Sequence, residues 1–206
     1  MQENENAAKR SDAADAKAAR ARHTATLRHT KRLTVAALLS ALSFLLGLLA
    51  KTLQGSNPLR FTLEGLPIVL SGAILGPFYG AAVGIVADLA SCLMSGMTPL
   101  PLITLGSALV GLTPGLLSRP FMRGERPLAT PPRFPLLLLL EGCAHTVGSL
   151  LVKSCALAGL FGMSYPTMLV LRLPIYCGVV ALESTLLYLL LRSPAVRREI
   201  EREVLR

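Results

Sequence analysis

The sequence predicts an all-α integral membrane protein with six transmembrane helices and both termini cytoplasmic. Three observations predict it. The 206-residue chain is 52% hydrophobic, with a mean hydropathy of +0.55, too apolar for a soluble domain of this length. Residues 33–50, 65–87 and 89–118 carry no charge, and a membrane helix needs roughly 20 mostly apolar residues. Lys and Arg gather in residues 1–32, 119–133 and 192–206, leaving only Lys51, Arg60, Lys153 and Arg172 elsewhere. The positive-inside rule puts all three basic zones on the cytoplasmic side.

Parity then counts the spans. With both tails and the central loop inside, residues 33–118 and 134–191 must each cross an even number of times. Residues 33–50 form the first span, and "KTLQGSNPLR" is the polar turn outside it. Residues 61–118 must supply an odd number of spans, and three fit the helical rise of roughly 1.5 Å per residue. "GP" at Gly76 and Pro77 ends the second span, a short one over 61–75 that contains Pro67. "SGMTPLP" separates the third from the fourth. Residues 134–191 give the fifth and sixth, broken at "FGMSYP". The domain reading is a basic tail over 1–32, a six-helix transmembrane domain over 33–191 and a second basic tail over 192–206.

The net charge of +9 therefore reports topology and contact with the lipid bilayer. No aromatic interleaving supports a nucleic-acid partner. The N-terminal tail mixes Lys and Arg with Glu3, Glu5, Asp12 and Asp15, unlike a signal peptide. His23 and His29 lie in it and are read as solvated. Cys92, Cys143, Cys155 and Cys177 form no CxxC pair; small packing residues fit them better than zinc ligands or disulfides. No metal site is expected.

Ionisable groups in a bilayer cost about 2.5–3.5 kcal/mol each at a helix centre. They therefore line cavities or pair. The candidates are Glu64, Asp88, Glu141, His145, Lys153, Arg172 and Glu183. Asp88 stands roughly 18 Å along a helix from Gly76. Glu141, His145, Ser149 and Lys153 step by four on the fifth span and share one broad stripe of an α-helix. Most of the set falls in the outer half of the bilayer, as a polar pocket open to the outside requires. Asp88 has a second reading, a brace paired with His145 or Lys153. Lys153 and Arg172 also have the option of snorkelling to headgroups. Glu141 and Glu183 are read as structural.

Gly76, Gly80 and Gly84 repeat every fourth residue, and Ala37 and Ala41 make a second ridge of small residues. Small residues at this spacing let helices approach closely. The two ridges serve either packing inside the bundle or docking of another membrane subunit. "GSLLVKS" lacks the glycine before the lysine that a phosphate loop needs and follows no strand. His145 and Ser149 have no readable orienter or oxyanion loop. No catalytic residues are assigned, and no enzyme activity is expected.

Several segments together resemble one family. "RFTLEGLPIVLSGAILGPFYGAAVGIVADLASCLM" is similar to the second and third helices of the substrate-binding S components of energy-coupling factor (ECF) vitamin transporters, in particular the folate group. The shared frame is Arg60, Leu66, Pro67, Ile68, Ser71, Gly72, Gly76, Pro77, Gly80, Gly84 and Asp88. "LTVAALLSAL" resembles the first helix, with Ala37 and Ala41. "PLITLGSALVGLTPGLLSR" resembles the fourth. "AHTVGSLLVKSCALAGLFGMSYPTMLVLRLPIY" resembles the fifth and sixth, with His145, Gly148, Ser149, Lys153 and Arg172.

The resemblance implies a subunit that captures a vitamin, folate first, in an outward-facing pocket. It implies docking on a transmembrane coupling subunit driven by two cytoplasmic ATPases. Those partners use ATP; this chain is expected to bind no cofactor. Carried over, Ala37 and Ala41 contact the coupling subunit. Arg60, Lys153 and Arg172 suit a folate-like anion's carboxylates, and Glu64 or Asp88 its pterin edge. His145 and Ser149 complete the polar lining, and Tyr165 or Phe61 offers a stacking surface. Pantothenate or another anionic vitamin is the alternative ligand. Two other classes stand beside this reading: a small intramembrane enzyme using His145 with Asp88 or Glu141, and a purely structural bundle.

Overall fold

A computed structural model describes residues 2–54, 61–96, 98–118 and 134–200. Every regular element among them is helical. Helix α1 (Gln2–Gln54) runs unbroken from the basic tail through the first span. Helices α2 (Gly65–Leu75), α3 (Pro77–Met94) and α4 (Pro101–Ser118) follow. The fifth span is one rod, Phe134–Phe161. It comprises α5 (Phe134–Ala144), a π-helical segment (His145–Lys153) and α6 (Ser154–Phe161). The sixth is α7 (Tyr165–Arg192), followed by the short α8 (Pro194–Ile200). Five of these helices are long and apolar enough to cross a membrane, and α2 is a shorter apolar helix.

The expected breaks at Gly76, at "SGMTPLP" and at "FGMSYP" all separate helices. Gly76 has φ +106°, a conformation that a side chain strongly disfavours. Its N–H closes α2 on the carbonyl of Gly72, and Pro77 opens α3 at once.

Two boundaries differ from the expectation. The first helix continues to Gln54, so Lys51 belongs to its last turn rather than to an outer turn. Helix α2 starts at Gly65, not at residue 61, and is about 16 Å long. The preceding residues are satisfied without a helix. Gln54 donates to the carbonyl of Phe61 and accepts from its N–H, at 2.7 and 2.8 Å. Ser43 donates to the carbonyl of Glu64 at 2.8 Å. Irregular backbone at membrane depth is tolerated where protein covers it or where it lines a cavity.

Gly80 and Gly84 of the glycine row pack inside the bundle. A Cβ at Gly80 would lie 2.4 Å from the carbonyl oxygen of Gly111, and one at Gly84 would lie 2.2 Å from that of Ser107. Gly72 faces Gly111 in the same way. Helices α2, α3 and α4 therefore meet backbone to backbone, a packing that works in lipid without a hydrophobic drive. Around this seam sits the core of Ile68, Val69, Val83, Val110, Leu137, Ala144 and Leu187. Large apolar side chains cover the outside, among them Leu38, Leu53, Phe78, Leu93 and Val170, each at least 66% exposed. Such a belt is suited to lipid contact.

Candidate functional site

A cavity of about 290 Å³ opens at the end of the bundle away from the N-terminus. Five elements reach it: the last turns of α1 and α3, the start of α4, the stretch around α6, and the first half of α7. The segment before α2 also borders it. Its polar lining is Lys51, Thr62, Glu64, Asp88, Thr98, Lys153, Arg172 and Tyr176, and its apolar lining includes Leu100, Ile103, Leu157 and Phe161. Among the described residues, three cations thus face two carboxylates.

Lys153 ends the π-helical segment and is 8% exposed. Its Nζ lies 3.4 Å from Glu64 Oε1. Two glycines make room for this pair. A Cβ at Gly106 would meet Lys153 Cγ at 2.5 Å, and one at Gly47 would meet Glu64 Oε2 at 2.6 Å. Across His145–Lys153 the backbone bonds run i→i+5, so the α-helical stripe expected from Glu141 to Lys153 does not hold. Glu141 and His145 turn to the bundle interior, whereas Lys153 borders the cavity.

Arg172 is held by neutral oxygens. Its guanidinium donates to Ser154 Oγ at 2.7 Å, to the Ser149 carbonyl at 3.3 Å and to the Tyr176 hydroxyl at 2.7 Å. It also lies 5.0 Å from the centre of the Tyr176 ring, within cation–π range. Asp88 accepts a 2.7 Å hydrogen bond from Thr104 Oγ1. That bond, rather than one to His145 or Lys153, orients it. Lys51 donates to Ser91 Oγ and reaches Cys92 Sγ at 3.8 Å.

Of the residues expected at the site, Glu64, Asp88, Lys153 and Arg172 come together at the cavity. His145 and Ser149 do not line it. They lie deeper, where Ser149 sits 3.3 Å from His145 Nδ1. Tyr165 is 37% exposed and donates to the Leu151 carbonyl at 3.3 Å, also outside the lining. Arg60 lies outside the described residues, as does the basic loop 119–133. Lys51 and Tyr176 were missed. Lys51 falls in the stretch that reads as an outer turn, and Tyr176 is one of three tyrosines in the sixth span, with no periodic signal to single it out.

Residues 31–193 match the family model described as the ECF transporter, substrate-specific component. The chain belongs to this family. No curated protein matches the chain. This ECF component is therefore a multi-pass membrane protein and a subunit of a transporter, in a family of substrate-specific components rather than of enzymes.

Two further features of the ECF component lie outside the cavity. Ala37 and Ala41 are exposed, unlike the glycine row, and line a shallow apolar groove with Phe44, Tyr79, Val86 and Ala90. In the interior, Glu141, His145 and Glu183 bring their ligand atoms within 4.8 Å of one another, all buried. The four cysteines are dispersed and free.

Proposed function

We propose that this ECF component captures an anionic vitamin, folate first, in the cavity between Lys51, Lys153, Arg172, Glu64 and Asp88. The observation that carries the reading is the charge of the lining, three cations against two carboxylates. The bonded partners of Arg172 are all neutral, which leaves its charge to an anion. Charge-assisted bonds from Arg and Lys suit carboxylates. Glu64 and Asp88 supply acceptors for a ring edge that presents N–H donors, and Phe161 and Tyr176 supply apolar faces. A cavity of about 290 Å³ sits at the small end of ligand sites. That size favours pantothenate as the second reading.

In this account the vitamin enters from outside, with the basic tails on the cytoplasmic side. A transmembrane coupling subunit docks on the Ala37 and Ala41 groove, and two cytoplasmic ATPases supply the energy through ATP. In this reading the chain itself binds no ATP. Binding of tritiated folate to the purified protein, with unlabelled pantothenate as competitor, tests the ligand. Saturable sub-micromolar folate binding supports the first reading. Saturable binding of tritiated pantothenate in a parallel assay, without folate binding, supports the second, and no vitamin binding tighter than micromolar removes both.

Two variants follow from this assignment. Asp88→Asn keeps a hydrogen bond to Thr104 but loses its charge, and folate affinity is expected to fall by about 10-fold; unchanged affinity in a titration makes Asp88 a bystander. Ala41→Leu fills the groove on α1. It is expected to abolish uptake in cells while leaving folate binding to the purified protein intact. Wild-type uptake by that variant removes the docking role.

A further inference from the structure

We propose that Glu141, His145 and Glu183 form a binding site for a divalent first-row transition-metal ion of the zinc class, inside the bundle and apart from the cavity. The three donors come from the two long rods, Glu141 and His145 from the fifth span and Glu183 from the sixth. Glu141 and Glu183 are 0% exposed and His145 is 5% exposed. Their ligand atoms converge within 4.8 Å.

Two of the ligands are already oriented from behind. Glu183 Oε1 accepts the N–H of Leu66 at 3.1 Å, in the first turn of α2. His145 Nδ1 lies 3.3 Å from Ser149 Oγ. Partners of this kind fix the ring and the carboxylate of a metal site. They leave Nε2 of His145 and Oε2 of Glu183 facing each other at 2.6 Å. Glu141 Oε2 stands 3.6 Å from the same Nε2.

Glu141 is the observation that points to a ligand. Both of its carboxylate oxygens are buried and have no hydrogen-bond partner. An ionised carboxylate so deep in a membrane protein is strongly disfavoured without a counter-charge. A divalent ion balances the two carboxylates, and a neutral imidazole completes the set. The nitrogen ligand favours zinc-class ions over calcium or magnesium, which take oxygen ligands. Zinc bonds of about 2.0–2.2 Å to oxygen and nitrogen require His145 and Glu183 to part from their direct hydrogen bond. Gly65 packs against both, since a Cβ there would lie 2.5 Å from His145 Cε1 and 2.8 Å from Glu183 Oε2. The ion thus ties the start of α2, next to Glu64, to the fifth and sixth spans.

The test uses the full chain in detergent, stripped with EDTA and then titrated with Zn²⁺ or Co²⁺. The wild-type protein is expected to bind about one ion per chain by elemental analysis, with visible absorption in the cobalt form. Zn²⁺ should also raise its melting temperature, reversibly with EDTA, a readout that needs no variant. Glu141→Gln is expected to weaken metal binding by at least about 100-fold. His145→Gln should do the same, which covers the case where one variant fails to fold. A wild-type chain that takes up neither ion overturns the proposal. So does a Glu141→Gln chain that binds as tightly as wild type, whose uptake would then belong to exposed groups such as His23 and His29.

Discussion

Lys153→Ala is expected to lower vitamin affinity by about 100-fold or more while the protein stays folded and monodisperse. The lysine is 8% exposed, so its charge is little screened by water. Its stem runs past Gly106, and its Nζ faces Glu64 at 3.4 Å. Truncation removes one of the three cations at the cavity. It leaves a ligand carboxylate facing a lining in which the two acidic groups are no longer outnumbered. Lys153→Arg is the informative companion. The longer, planar guanidinium has to pass the same gap beside Gly106 and the Gly148 carbonyl, so it should restore only part of the affinity. Full binding by Lys153→Ala, measured by titration of the purified protein, would remove the lysine from the site.

Gly111→Leu is expected to prevent folding. A Cβ at Gly111 would lie 2.1 Å from the carbonyl oxygen of Gly80 and 2.3 Å from its carbonyl carbon. Both atoms are backbone in the first turn of α3, so no flexible side chain can yield. The helices must separate, which opens the seam that also holds Gly72. A cost above about 4 kcal/mol is in the range of severe overpacking and strain. After detergent extraction the variant should give no monodisperse peak by size-exclusion chromatography. Gly142→Ala is the control, because a Cβ there meets nothing within 4 Å. A monodisperse Gly111→Leu protein would contradict the backbone contact between α3 and α4.

The spans were legible because hydropathy and charge are properties of local sequence. Gly76 and Pro77 marked a turn through backbone conformation alone, and the turn stands where they predicted it. The glycine row was legible as a packing ridge, but its partner was not. Gly111 on α4 faces it across a loop, and no local pattern names that pairing. Glu64, Asp88, Lys153 and Arg172 stood out because charge in an apolar run is conspicuous. Lys51 did not, because the first helix continues past the point where polarity rises.

The π-helical register over His145–Lys153 leaves no distinct period in so short a segment. It separates His145 and Ser149 from Lys153, which an α-helical stripe had joined. Glu141 and His145 share a stripe in the sequence, but nothing there joins Glu183 to them. Their meeting depends on how the fifth and sixth spans pack, which sequence spacing does not encode.

The account rests on one claim, that the cavity holds a vitamin-sized anion. Mass spectrometry of the small molecule that co-purifies with the protein tests it most directly. The predicted result is an anionic vitamin, folate or pantothenate, near one molecule per chain and absent from Lys153→Ala. A neutral or cationic molecule, or the same anion retained in full by Lys153→Ala, would contradict it.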